Sequence, residues 1–227
     1  MTNISANLQA VRARVAAAAT AAGRAADEVA LLAVSKTWPA PDVRAAARAG
    51  QRAFGESYVQ EAVPKLAALA DLDLEWHFIG PLQSNKTQAV ARHFAWVHGV
   101  DREKIAARLS AQRPPAMPPL QVCLQVNISG EASKGGVAPQ AAAALARAVA
   151  AMPGLALRGL MAIPAPADDA AAARRPFARL RELLQQLNSE GLKLDTLSMG
   201  MSDDLEAAIA EGSTLVRVGT AIFGARS

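Results

Sequence analysis

Lys36 is the residue of this sequence best placed for covalent chemistry. It directly follows the apolar run LLAVS at residues 31–35, which has the composition of a buried strand. An amine that leaves a dry strand end is partly desolvated, which lowers its pKa and frees the neutral form that attacks an aldehyde. An ordinary surface lysine at a strand end fits the same position, so other residues must decide between the two interpretations.

Two segments near the carboxyl end have the composition of a phosphate site. They are MGMSDD, which contains Met199, Gly200 and Ser202, and VGTAIFG, which contains Gly219 and Thr220. Glycine lets backbone N–H groups approach an anion, and hydroxyl groups add donors. A helix predicted to begin at Ser202 directs its positive end to the same place. Simple roles as a helix cap for Ser202 and as a turn for Gly219 are compatible with phosphate binding.

Arg217 lies two residues before Gly219 on the same predicted strand, so the two residues face the same side. If that side is the interior, the guanidinium can reach the ring nitrogen of a bound cofactor. Together with an imine lysine and a phosphate site, this pattern indicates pyridoxal 5′-phosphate (PLP). A permanent cation at that nitrogen keeps it unprotonated and disfavours carbanion chemistry. The alternative is a structural arginine paired with Glu206 or Glu211.

The elements that position these residues alternate regularly along the chain. Apolar runs predict eight strands, and alanine-rich helical patterns fill the intervals between them. Such alternation indicates parallel strands, and eight units predict a closed (β/α)8 barrel of the TIM type, an α/β fold, as one domain over residues 1–227. An open doubly wound sheet is the alternative. The predicted strands are residues 31–35, 52–56, 75–80, 94–99, 120–128, 157–163, 194–200 and 214–219.

The helical patterns include an extra helix at about residues 3–22, ahead of the first strand. Its expected role is to cover part of the barrel. Asp101 and Ser202 are predicted to cap the helices that follow them. The remaining helices are predicted at residues 41–49, 58–70, 84–92, 101–111, 138–151, 168–189 and 202–211.

Other polar residues fall at or near predicted strand ends, where barrel active sites form. Ser57 follows the second strand, and Lys134 lies in the loop after the fifth. The spacings of His77, His93 and His98 do not match a metal site on one helix face, so no metal is expected. His77 is instead predicted to be a core histidine.

Composition narrows the remaining possibilities. The net charge is +4, but the arginines are scattered singly among alanines and aromatics are only 4% of the chain, so no nucleic-acid partner is expected. The lone cysteine, Cys123, lies in an apolar run and is predicted to be a buried, inert thiol. No apolar stretch approaches membrane-spanning length, and the amino terminus does not look like a signal peptide. We therefore expect a soluble cytoplasmic protein.

Six segments resemble the pyridoxal phosphate homeostasis proteins, the YggS/PROSC family. The resemblance implies a barrel like the N-terminal domain of alanine racemase, without that enzyme's second domain. It implies that Lys36 carries PLP as an imine, that Ser202, Gly219 and Thr220 hold its phosphate, and that Arg217 faces its ring nitrogen. The segments are AVSKT, FGESYVQE, WHFIGPLQSNKT, VNISGEASKGG, GLMAIPAP and LSMGMSDDLEAAIAEGSTLVRVGTAIFGAR.

The sequence departs from the family pattern at two of these positions. Ser57 stands where the family usually has asparagine, and it is shorter and lacks the amide donor. Trp38 stands where the family often has a second lysine, two positions after the imine lysine. Lys134 matches a lysine that the family retains, which implies an accessory contact to PLP.

The family's proposed role is to carry or buffer PLP and to influence vitamin B6 and amino-acid balance. This predicts a PLP carrier, with PLP-dependent enzymes as possible clients, rather than an enzyme. A PLP-dependent racemase is the alternative, but the related barrel uses a second base from another domain, for which no residues are expected after the eighth strand. An enzyme whose lysine forms an imine directly with a sugar or keto acid is a third possibility. The missing second domain also favours a monomer.

Overall fold

Eight parallel strands close into a barrel in sequence order, β1 to β8, with β8 hydrogen-bonded back to β1. A computed structural model describes residues 3–131, 134–165 and 169–225. The (β/α)8 prediction is confirmed, and the open sheet is excluded. The strands are β1 (Ala30–Val34), β2 (Ala53–Glu56), β3 (Glu75–Phe78), β4 (Trp96–Val100), β5 (Leu120–Gln125), β6 (Leu155–Met161), β7 (Thr196–Ser198) and β8 (Leu215–Val218).

Helices surround the barrel and join its strands. Their apolar faces are rich in alanine, a strong helix former, and pack against the outer side of the sheet. They are α1 (Ile4–Ala21), α2 (Ala40–Arg48), α3 (Val59–Ala68), α4 (Thr87–His93), α5 (Glu103–Gln112), α6 (Pro139–Ala150), α7 (Ala170–Ser189), α8 (Leu205–Ala210) and α9 (Thr220–Phe223).

The extra amino-terminal helix is confirmed as α1. It packs beside α8 and α9 and buries Leu8 and Val11 there. Arg14 on its outer side pairs with Glu206 at 2.9 Å and donates to the carbonyl of Ser202 at 3.1 Å. Thus α1 supports the loop after β7 as well as covering the barrel.

The two helix caps predicted at Ser202 and Asp101 are wrong. Residues 202–204 form a turn, and α8 begins only at Leu205, so Ser202 does not cap it. Asp204 stands at that cap position, and its side chain accepts from the backbone N–H of Met201 at 2.6 Å. Capping by Asp101 is wrong as well, since its carboxylate accepts from the Arg102 side chain at 2.6 Å. In both turns the aspartate carboxylate accepts a hydrogen bond from a nearby donor, and it does not cap the helix that follows.

The fifth and seventh predicted strands are shorter than expected. β5 ends at Gln125, after which Val126 forms an isolated bridge with Val137, and β7 ends at Ser198. Several predicted features fall partly outside the described residues, namely residue 168 of a predicted helix and residues 132–133, 166 and 226 of the family-like segments. No helix in the described ranges has both the length and the apolarity that crossing a bilayer requires.

Candidate functional site

The carboxyl ends of the strands enclose a cavity of about 210 Å³ at the mouth of the barrel. Six of the predicted site residues line this cavity, from four different strand ends. Its wall also contains Val34, Ile79, Ile163, Met201 and Asp203. The predicted residues in it are Lys36, Ser57, Ser202, Arg217, Gly219 and Thr220.

Met199 and Gly200 are not among the described residues that line the cavity. The Met199 side chain is fully buried, and its carbonyl accepts from the Ser213 hydroxyl at 2.7 Å. Gly200 has φ +95°, and a Cβ there would lie 2.6 Å from Ala208. The pair therefore shapes the loop behind the pocket. Lys134 does not line the cavity either, and its carbonyl accepts from the Asn127 amide at 3.2 Å.

Lys36 lies in a tight turn that follows β1. The N–H of Trp38 donates to the carbonyl of Ser35 at 3.1 Å, and Thr37 between them has φ +70°. A β-branched residue rarely adopts this left-handed conformation, which costs about 1–3 kcal/mol. The turn persists because the Thr37 N–H donates to Glu61 at 2.6 Å. The half-buried lysine is thus presented by a strained turn.

A cluster of buried and partly buried ionised side chains supports the turn that contains Lys36. Lys65 of α3 donates to the carbonyl of Ser35 at 2.9 Å and to the carboxylates of Glu56 and Glu61, each at 2.7 Å. The Ser35 hydroxyl also donates to Glu56 at 2.6 Å. Burial raises the pKa of Glu56, although its hydrogen bonds with Lys65 and Ser35 oppose that shift. The cluster therefore ties the lysine turn to β2 and α3.

The lysine turn also contacts the loop that follows β8. Trp38 stacks on Phe223 of α9, with ring centroids 5.8 Å apart. Gly219 approaches β1 so closely that a Cβ would lie 3.2 Å from the carbonyl oxygen of Val34. Trp38, which departs from the family pattern, therefore has a packing role. These contacts place the turn that contains Lys36 beside the loop that contains Thr220.

Arg217 faces the interior, as predicted, and only 4% of it is exposed. Its guanidinium donates to the carbonyls of Ser198 and Ala162 and to the Ser198 hydroxyl, at 2.5, 2.9 and 2.7 Å. Burial lowers its pKa to about 10, so it remains a cation at neutral pH. The alternative pairing with an acid is wrong: Glu206 pairs with Arg14 and Glu211 with Arg174 and Arg181.

Two buried histidines lie deeper in the barrel. His77 Nδ1 and His98 Nε2 are 2.9 Å apart, and burial lowers the pKa of both. The core position predicted for His77 is confirmed. Cys123 is also fully buried, and burial raises its pKa to about 12, so it is an unreactive thiol. The described part of the chain contains no group of residues arranged to hold a metal ion.

A larger cavity, of about 430 Å³, opens at the other end of the barrel. It is lined by the first residues of strands, among them Ala30, Ala53, Glu75 and Leu215. Barrel active sites form at the carboxyl ends of strands. The turn that contains Lys36 (the lysine turn) and the loops that contain Gly200 and Gly219 (the glycine loops) lie at that end too. We therefore assign the functional site to the smaller cavity at the mouth.

Known proteins resemble this chain along nearly its whole length. The family described as "Alanine racemase, N-terminal domain" matches residues 6–227. The "Pyridoxal phosphate homeostasis protein" of Pseudomonas aeruginosa is 65% identical over 226 residues, covering 100% of this chain and 97% of the relative. The chain belongs to the pyridoxal phosphate homeostasis protein family. Its relative from Escherichia coli K12 is 54% identical, with 100% and 98% coverage.

Solved structures agree with the family assignment. PipY of Synechococcus elongatus without PLP superposes with a TM-score of 0.88 at 39% identity, covering 98% of this chain and 100% of that one. The same protein with PLP bound gives 0.86 at 38% identity, with the same coverage. Alanine racemase from Corynebacterium glutamicum gives 0.68 at 19% identity, covering 96% and 62%, which shows the shared barrel fold alone.

Sequence reasoning missed several residues of this site. Ile79 and Ile163 lie at the carboxyl ends of predicted strands, where barrel active sites form, so the sequence already indicated their place in the site. Glu61 and Lys65 have the i,i+4 spacing of a helical ion pair, but that spacing does not reveal the burial of Lys65. Asp203 carried no signal, because the predicted helix included it.

Lys65→Met is expected to destabilise the fold by about 3–5 kcal/mol, because it leaves Glu56 buried without its cation. The double variant Lys65→Met/Glu56→Gln should recover part of that loss. Urea denaturation of the wild type, both single variants and the double variant measures the coupling. Strictly additive effects would show that the two side chains do not stabilise each other.

Stability is expected to fall as the pH drops below 6.5, the ordinary histidine pKa, because the unfolded chain then binds protons that buried His77 and His98 resist. The loss is at most about 1.4 kcal/mol per pH unit for each histidine. His98→Gln should reduce this slope between pH 6.5 and 5, while Glu56 titrates in both proteins and cancels in the comparison. Chemical denaturation across this range measures the free energy of unfolding at each pH. Equal slopes in the wild type and His98→Gln would show that His98 does not contribute to the loss.

Proposed function

We propose that residues 1–227 form a single PLP-binding domain that holds the cofactor reversibly for vitamin B6 homeostasis. The main observation behind this proposal is that one cavity is lined by Lys36, Ser202, Arg217 and Thr220. These groups supply an amine for the aldehyde, hydroxyls for the phosphate and a cation for the ring nitrogen. The names of the relatives and the PLP-bound structure of PipY support the same ligand.

Lys36 Nζ is the proposed attachment point, through an imine bond to the cofactor's aldehyde. The residue is half buried and follows the end of β1. Hydrogen bonds hold the backbone of its turn on both sides: Lys65 donates to the Ser35 carbonyl, and the Thr37 N–H donates to Glu61. Such a turn fixes where the lysine side chain begins. Ser57 lines the same cavity from the end of β2 and offers a hydroxyl to the bound cofactor.

The proposed phosphate site lies between the loops after β7 and β8. Ser202 and Thr220 contribute hydroxyl donors to this part of the cavity. Gly219 leaves no side chain between β1 and this loop. Arg14 fixes the Ser202 backbone from outside, which keeps the loop in place. Met199 and Gly200 support the loop from behind, and any contact of Lys134 with PLP is accessory.

Arg217 is proposed to face the pyridine nitrogen. A guanidinium donates a hydrogen bond and does not give up its proton, so the ring nitrogen stays unprotonated and PLP is a weak electron sink. This environment favours storage over carbanion chemistry. PLP supplies, when bound, an aldehyde that amines attack, and the protein's role is to keep that aldehyde occupied.

We infer that the chain is a carrier and not a racemase. The ionisable side chains among the described residues that line the cavity are Lys36, Asp203 and Arg217, and Asp203 is exposed at the rim. A racemase needs a second base on the opposite face of the cofactor, and this set does not provide one. We further propose that the protein acts as a cytoplasmic monomer whose released PLP reaches PLP-dependent client enzymes.

The purified protein incubated with PLP is expected to show the absorbance band of a lysine imine. Lys36→Ala should lose the band, while Lys104→Ala, an exposed lysine on α5, should keep it. Borohydride reduction followed by peptide mass mapping locates the adduct.

An unchanged band in Lys36→Ala excludes this lysine as the attachment point. Reduction that traps a sugar or keto acid on Lys36 without PLP would favour the direct-imine enzyme instead. Robust racemisation of L-alanine by the PLP-loaded protein would establish the enzyme alternative.

Ser202→Ala and Thr220→Val are each expected to weaken PLP retention, because each removes a donor to a phosphate dianion. The loss is roughly 0.5–3 kcal/mol per donor. Equilibrium dialysis of PLP measures it, with Ser189→Ala at the end of α7 as a hydroxyl control far from the cavity. Retention equal to that of the wild type in both variants would place the phosphate elsewhere.

A further inference from the structure

A continuous chain of hydrogen bonds crosses the interior of the barrel and ends at Arg217. Glu75 Oε1 lies 2.8 Å from His77 Nε2, and His77 Nδ1 lies 2.9 Å from His98 Nε2. His98 Nδ1 lies 2.7 Å from the hydroxyl of Ser198, which lies 2.7 Å from Arg217 Nη1. Arg217 lines the mouth cavity and Glu75 lines the cavity at the opposite end, so the chain joins the two.

The chemistry of its two ends gives this chain one direction. The hydrogen bond from His77 lowers the pKa of Glu75, so Glu75 is a carboxylate and can only accept. His77 must therefore carry its proton on Nε2 and accept at Nδ1 from His98. His98 then accepts at Nδ1 from the Ser198 hydroxyl, whose oxygen accepts from Arg217. Every donor points away from the cation and toward the anion.

Both histidines are neutral in this arrangement. Burial lowers the pKa of His77 and of His98, and each ring has one nitrogen that donates and one that accepts. A single positive charge therefore stands at one end of the chain and a single negative charge at the other. Among the described residues no carboxylate forms a salt bridge with Arg217, but the charge of Asp204 acts to raise its pKa.

The surroundings of Glu75 keep this end of the chain in place. Trp96 stacks on His77 with ring planes 3° apart, and its side chain also hydrogen-bonds Glu75. Arg158 lies over the Trp96 ring and is paired with Asp195. About half of the Glu75 side chain remains exposed. The acceptor at the foot of the chain is thus fixed in position but open to solvent.

We propose that Glu75, His77, His98 and Ser198 are positioning residues for the site at the mouth. Their hydrogen bonds hold the Arg217 guanidinium in one orientation, and Glu75 is the final acceptor of the chain at the far end of the barrel. The orientation decides which Arg217 N–H group is left for the ring nitrogen of PLP. This last step rests on the proposed function, whereas the directed chain does not.

A purely structural polar core makes a different prediction. It requires only that each buried group has a partner, so neutralising half-exposed Glu75 would leave Arg217 unchanged. A directed chain instead transmits the loss of the carboxylate to the far end, because hydrogen bonds in series polarise one another in a low-dielectric interior. The response of Arg217 to a change at Glu75 therefore separates the two interpretations.

The experiment compares Glu75→Gln with Glu28→Gln, at a residue that lines the same cavity and pairs with Arg24, in protein free of PLP. Both variants remove one negative charge at the same end of the barrel, but only the first touches the chain. Nitrogen-15 NMR of the wild type should show His77 and His98 both neutral with the proton on Nε2. The side-chain nitrogen signal of Arg217 should shift in Glu75→Gln and stay unshifted in Glu28→Gln.

A histidine protonated on Nδ1, or equal shifts of Arg217 in the two variants, would overturn the directed chain. The cofactor step is measured separately, by PLP titration of the same proteins. Glu75→Gln should raise the dissociation constant severalfold, and Glu28→Gln should leave it unchanged. Unchanged affinity in Glu75→Gln overturns the positioning role, whereas a wild type that binds no PLP overturns the proposed function and leaves the NMR result standing.

Discussion

The pairing of β8 with β1 is the constraint on which the rest of the structure depends. Ala30 pairs with Leu215 and Ala33 with Val218, residues that are about 185 positions apart in sequence. Because the two strands are parallel, the turn after β1 and the loop after β8 emerge side by side. An amine from one end of the chain thereby meets the glycine loop from the other, and an open sheet of the same strands would leave them on opposite edges.

Closure also creates an interior that must be filled. TIM-type barrels usually fill this space with layers of branched apolar side chains. Here His77, His98, Ser198 and Arg217 occupy part of it, and each finds a hydrogen-bond partner. A buried polar group without a partner costs about 1–3 kcal/mol, so such a set is stable only when it is complete. The hydrogen-bonded chain from Arg217 to Glu75 therefore crosses the interior without an unsatisfied buried group among its described members.

Much of the fold was predictable because the relevant signals are local. The runs LLAVS and TLVRVG are apolar enough to identify strands, and eight of them in alternation with helices determine the barrel. Strand facing correctly placed Arg217 in the interior, and the barrel rule placed Lys36 and Thr220 at its mouth. These inferences need only the period of the hydrophobic pattern and the chemistry of single residues.

The details that escaped prediction depend on contacts between distant residues. Serine is a residue type favoured at helix caps, but Asp204 and not Ser202 stands at the cap position of α8. His77 and His98 meet only because neighbouring strands bring their side chains together, and nothing in their spacing of 21 residues indicates a hydrogen bond. The burial of Lys65 likewise depends on Glu56, which belongs to another element.

The stack of Trp38 on Phe223 has a consequence for how a bound molecule leaves. Trp38 belongs to the turn that contains Lys36 and Phe223 to the helix that follows Gly219, so their ring contact joins the two walls of the mouth. A hinge in one loop cannot open the pocket while this contact persists. Under the proposed attachment, the residence time of PLP follows the lifetime of its bond to Lys36, and an incoming amine that exchanges with that lysine triggers release.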